Sequence, residues 1–310
     1  MHKILRFIKE WMLLIAMFLG VAAYPLISYI SFLTPYLIFT MLLVTFCKLS
    51  PRQILIHPAH IGLISIQLIG SLGAYFLLKG YDPLIAQGAM ICMLAPTATS
   101  APVITGMLGG NVAFLTTYIL LCNMVVAFFA PLFFSFMGTH SDLSFWASFF
   151  FICKQVVPLL ILPLLMAWGM RRYTPRLHRK IAEVPQVGFY LWAVALVIVM
   201  GKTMSFLVNR ENPNYRSEIG LAVTALIVCA AQFIIGRSIG KRYKDPVSSG
   251  QGLGQKNTIL AIWMAQTYLN PVASLAPAAY VVWQNIINSY QLWLKEHREN
   301  KQEIVEYETK

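Results

Sequence analysis

The segment GLGQKNT sets Lys256 among Gln255, Asn257 and Thr258, after glycines 250, 252 and 254 that loosen an otherwise apolar run. An isolated charge inside such a run is costly and marks a functional site by default. Two placements are open for the ammonium. It holds backbone carbonyls or attracts an anion in the interior, or it snorkels to the nearer polar interface. A second polar knot lies in AQGAMICMLAPTATSAPVITGM, where Pro96 and Pro102 bracket Thr97, Thr99 and Ser100, and Thr105 comes after them. Each proline removes a backbone donor and clashes with the preceding turn. The hydroxyls either line a solute path or bond the turn before them. Gln67, Asn257, Thr258 and Asn285 are placed to link helices, touch a solute or act as packing glue. These groups bind; they do not make bonds. P-loop, G-x-S-x-G and H-E-x-x-H patterns are missing, and His57 and His60 have no acid nearby. No enzyme, resident cofactor or metal site is expected.

The elements that must hold these residues follow from composition. The chain has 310 residues, 58% hydrophobic and 12% charged, against about 25% charged in a soluble domain. That leaves too little charge for a water-facing skin, and excludes an ordinary soluble enzyme, a disordered chain and a nucleic-acid-binding domain. The five cysteines at 47, 92, 122, 153 and 229 lie in apolar stretches without metal-type spacing and read as reduced packing residues. The basic, apolar N-terminus lacks a clear cleavage site and reads as a retained first span.

A membrane helix needs about 20 apolar residues. Ten spans fit, near 9–26, 31–47, 58–78, 84–108, 111–137, 145–170, 184–201, 218–239, 247–268 and 271–294. With the N-terminus inside, eighteen Lys and Arg fall on the inner side and four on the outer, the bias expected of cytoplasmic loops. Both termini are then cytoplasmic, and residues 295–310 form a polar tail. No Asp or Glu falls near mid-membrane.

The fourth and ninth spans are interrupted, and the residues after the two breaks are alike. Asn111-Val112-Ala113 precedes a helix containing Asn123; Asn270-Pro271-Val272-Ala273 precedes one containing Asn285. Five spans per half invert one half relative to the other. Broken helices at corresponding places in inverted halves point to a transporter's midplane site; Gly/Pro kinks packed between neighbours are the plainer reading.

At these residues the chain resembles the bile acid:sodium symporter family. The likeness rests on the broken fourth span, Gly110–Ala113, the stretch Gly254, Asn257, Leu260, Ala261, and Val282, Trp283, Asn285; Lys154–Pro158 resembles the start of that family's sixth helix. The resemblance implies an all-α polytopic fold of ten helices in two inverted five-helix repeats, with helices 4 and 9 broken and crossing. It implies a panel domain from about 1–57 and 145–201, a core domain from about 58–144 and 202–294, and a substrate cavity between them.

It also implies sodium-coupled transport of an organic anion, and here the chain departs from the pattern. The family's Ser-Asn sodium ligands in span 4 correspond to Ala101-Pro102, its hydroxyls in span 5 to Leu115 and Ile119, its span-9 glutamate to Gln251, Gly252 or Leu253, and a span-9 glutamine to Lys256. Gln67 corresponds to a retained ligand. The expectation is a bacterial inner-membrane secondary transporter of a bile-acid-like or small carboxylate anion, not strictly sodium-coupled, with Lys256 in the cation's place. A sodium-coupled symporter and a non-transporting lipid or anion receptor on the same scaffold are the rivals. Expected partners are membrane lipid and the organic anion, not nucleic acid; substrate identity and oligomeric state are not legible from one chain.

Overall fold

The computed structural model describes residues 12, 14–49, 54–137, 144–183, 185–209 and 213–308. Lys3, Arg6, Lys9, Arg52, Arg210 and Lys310, which carry part of the orientation expectation, lie outside the described residues, as do 9–11 and 13 of the first expected span. Among the described residues the fold is helical, and its single strand-like pairing is an isolated bridge. The helices are α1 (14–22), α2 (Tyr24–Ile30), α3 (Thr34–Cys47), α4 (Pro58–Leu78), α5 (Pro83–Leu94), α6 (Ala101–Met107), α7 (Val112–Met137) and α8 (Phe145–Tyr173). They continue as α9 (Pro175–Ala182), α10 (Pro185–Val208), α11 (Tyr215–Arg242), α12 (Pro246–Gly254), α13 (Thr258–Tyr268) and α14 (Leu275–Glu308).

Among the described residues, five helices are long and apolar enough to cross a membrane: α4, α7, α8, α10 from Tyr190, and α11. The short helices are short for local reasons. Pro25, lacking an N–H, falls just after the turn at Ala23 that ends α1. α5 with α6, and α12 with α13, are interrupted pairs. In α14, Gln284, Asn288 and Gln291 lower the hydropathy; each accepts a hydrogen bond from a group outside that helix. α14 also runs on without a break into the expected tail.

The first break falls at the proline bracket, and the second is narrower than the glycine run suggested. The first spans Ala95–Ser100, and Pro102 lies in the opening turn of α6, where a missing N–H costs nothing. The second is confined to Gln255–Asn257. Gly250, Gly252 and Gly254 are helical, so they do not loosen the chain. They permit close packing: a Cβ at Gly252 would lie 2.9 Å from the Tyr118 ring, and one at Gly254 2.5 Å from Phe233. Across the interface, a Cβ at Gly236 would lie 2.5 Å from the Ser249 carbonyl oxygen, so α11 and α12 approach backbone to backbone. Small residues at such contacts are how helices associate in lipid.

α3 packs on α8 and α10, and α10 on α2; α11 packs on α12, α5 and α14, and α4 on α5. The larger buried core includes Leu42, Phe46, Tyr118, Phe134, Leu160 and Tyr268. A smaller one joins α5, α11 and α14 through Ala89, Leu221, Phe233 and Tyr280.

Candidate functional site

The two breaks meet. Ala98 N–H donates to the Gln255 carbonyl at 2.9 Å and Asn257 N–H to the Pro96 carbonyl at 2.7 Å, an antiparallel bridge between Thr97 and Lys256. A helix end leaves its last carbonyls without internal donors, and burial makes each orphan costly. Here side chains from other elements supply the donors. At the end of α5, Cys92 O accepts from Gln232 Nε2 of α11 at 3.3 Å. Met93 O accepts from Lys256 Nζ at 2.9 Å. Leu94 and Ala95 carbonyls both accept from Gln67 Nε2 of α4, at 2.7 and 3.1 Å. At the end of α12, Gly252 O accepts from Thr97 Oγ1 at 2.6 Å and Gly254 O from Tyr280 OH at 2.7 Å.

Lys256 is only 1% exposed and does not snorkel. Its own N–H donates to Gln284 Oε1 at 2.9 Å. Asn257 caps α13 by accepting from Leu260 N–H, and Thr258 opens that helix. Gln255 Nε2 donates to Ser100 Oγ at 3.1 Å, while its buried Oε1 has no hydrogen-bond partner among the described residues.

A cavity of about 40 Å³ opens beside the bridge. Thr99, Ser100, Gln255, Lys256, Asn257, Thr258 and Asn285 line it, together with Met41 of α3 and Trp192 of α10. That volume holds on the order of two or three waters; a sterol-sized solute needs the walls to separate. Seven of the ten residues singled out from sequence thus gather at one cavity. The other three do not line it. Thr97 is buried in the bridge, and Gln67 is buried between α4, α5 and α7, where its Oε1 accepts from Tyr118 OH and Cys122 Sγ, each at 3.1 Å. Thr105 is buried in α6, and its hydroxyl has no partner among the described residues. Asn285 Nδ2 bonds back to the Val281 carbonyl in its own helix at 2.6 Å.

Sequence reasoning passed over Gln284, Gln232 and Tyr280. Gln284 had a signal, since it is the variable position of the Trp283–Asn285 motif. The other two looked like isolated polar groups on apolar helices, and only the fold brings them to the breaks. The chain matches no family model and no curated protein.

Proposed function

We propose that this protein is a secondary transporter of an organic anion, of the bile acid:sodium symporter type, working by alternating access. The carrying observation is the backbone pairing of two helix breaks beside a polar cavity. Non-helical backbone at membrane depth is tolerated where it is buried in protein or lines a cavity, and paired discontinuous helices are the usual setting of a transporter's midplane site. The cavity walls come from both helix groups: Met41 and Trp192 from α3 and α10, the remainder from the breaks and α14. Sliding of one group on the other would open and close it. On this reading the chain makes ten crossings in two inverted halves, with the panel and core domains that the resemblance implies and both termini in the cytoplasm of a bacterial cell.

The Lys256 ammonium on the Met93 carbonyl supports transport without obligatory sodium. A fixed cation at the crossing provides the charge that a bound ion would otherwise bring. Gln255 Oε1, an unused buried acceptor at the cavity, suits a solute that also carries a hydroxyl or another donor. Uptake of a library of sterol acids and small carboxylates into proteoliposomes, with and without a sodium gradient, tests the reading. Saturable uptake in sodium-free buffer is expected. Binding without any uptake would replace it with the receptor reading.

A further inference from the structure

Away from the paired breaks, α3, α8 and α9 border a second, open pocket of about 470 Å³. Lys48, Arg171, His178 and Arg179 line it over a floor that includes Cys47, Leu49 and Ala182, and Glu183 is its single acid. Counting the permanently ionised groups, three positive charges minus one negative leave +2. The folding of the segment explains the gathering. Lys48 caps the C-terminus of α3 and Arg171 sits in the last turn of α8, where helix dipoles favour cations. Pro175 opens α9 directly after α8 ends, turning the chain back so that Ile181 and Ala182 pack against the core. Among the described residues, none of Lys48, Arg171 and Arg179 has a side-chain hydrogen bond or acidic partner. Burial first, and then the Arg171 charge, hold the His178 pKa below the ordinary histidine value.

We propose that this cavity binds a phosphate-bearing anion, either the headgroup phosphate of an anionic phospholipid or inorganic phosphate. Three cations beside the apolar side chains of Cys47, Leu49 and Ala182 match a charged phosphate joined to an apolar body, and basic pockets between membrane helices are suited to such headgroups. The site is separate from the crossing and does not depend on the transport reading.

The experiment uses the full chain in detergent, with native mass spectrometry after exposure to phosphatidylglycerol or phosphatidylcholine, and a parallel thermal-shift series with inorganic phosphate. The wild-type protein should retain phosphatidylglycerol over phosphatidylcholine by roughly tenfold or more. Lys48→Gln/Arg171→Gln/Arg179→Gln should lose that preference, whereas Arg176→Gln/Lys241→Gln/Lys244→Gln, with equal loss of charge, should keep it. Arg179→Glu alone, at an exposed position of α9, guards against misfolding of the triple variant and should also lose it. A shift with phosphate in the wild type but not in these variants, without lipid preference, identifies free phosphate as the ligand. Equal loss in both triple variants, or no discrimination by lipid or phosphate, overturns the proposal.

Discussion

Thr97 and Lys256 cap each other's helices. They are the two partners of the bridge between the breaks. From that bridge, Thr97 Oγ1 reaches Gly252 O in the last turn of α12, and Lys256 Nζ reaches Met93 O in the last turn of α5. Each break therefore provides the donor that the other helix lacks. The arrangement is symmetric in role and asymmetric in charge, since one donor is a hydroxyl and the other an ammonium.

Removing either donor strands a buried carbonyl. Lys256→Met should lower stability by about 1–3 kcal/mol, and Thr97→Val by about 1–2 kcal/mol. The two losses should be non-additive by more than about 0.5 kcal/mol, because both act on one bridge. Thermal or denaturant unfolding in detergent measures all three. Wild-type melting in Lys256→Met would show that the ammonium contributes nothing at the crossing. Lys256→Gln, which keeps donors on a shorter arm, should fall between.

Transport should vary by less than about twofold when sodium is replaced by choline or potassium, since an ammonium already serves the α5 carbonyl end and charge repulsion there raises the cost of a second cation. Initial uptake rates in matched buffers give the answer. A steep sodium dependence would remove the role assigned to Lys256.

Gly236→Ala should destabilise by about 1–3 kcal/mol, because the added methyl would meet the Ser249 carbonyl at 2.5 Å and the Gly250 Cα at 3.0 Å, and backbone yields little. Gly73→Ala has open space around its Cβ and should be neutral or stabilising by up to about 1 kcal/mol. Comparing the two melting temperatures separates close approach from helix propensity.

Asp82 caps α5 through the N–H groups of Leu84 and Ile85 and accepts from Ser217 Oγ of α11. Burial raises its pKa, but the Ser217 hydroxyl, then the two N–H groups and the Arg216 charge, outweigh this and hold the carboxyl below its ordinary value. A depressed folded-state pKa contributes stability above the unfolded value, near 3.9, that is lost as pH falls through the folded one. Ser217→Ala should raise the Asp82 pKa and narrow that acid window. The melting temperature of wild type and variant, followed down from neutral pH, reports the difference.

Cysteines introduced at Arg176 and at Lys241, in a background lacking the five native thiols, should react with membrane-impermeant reagents only from the cytoplasmic side. Labelling from outside in intact cells would overturn the orientation.

Much of the helical layout was legible because hydropathy is local. The third expected span coincides with α4, and the fifth agrees with α7 to one residue. The breaks were legible as composition and blurred as position. Pro102 marks where α6 begins, not where the chain unwinds, and Gly250, Gly252 and Gly254 answer to Arg237, Tyr118 and Phe233 on other helices. The donors to α5 were hidden for the same reason. Gln67 and Gln232 stand on helices far from each other in sequence, and nothing near them indicates which carbonyl they will meet.

The sequence separation of 163 between Met93 and Lys256 sets an order of events during synthesis. At roughly 5–20 residues per second, the ribosome delivers Lys256 some ten to thirty seconds after Met93. In that interval the end of α5 lacks the ammonium that completes it, and α12, which needs Thr97, does not yet exist. Until then the Met93 carbonyl lacks Lys256, whereas the Leu94 and Ala95 carbonyls already have Gln67 of α4 as donor. The mutual capping of the two breaks is complete only once residues 252–256 have been made, so the ends of α5 and α12 are finished together.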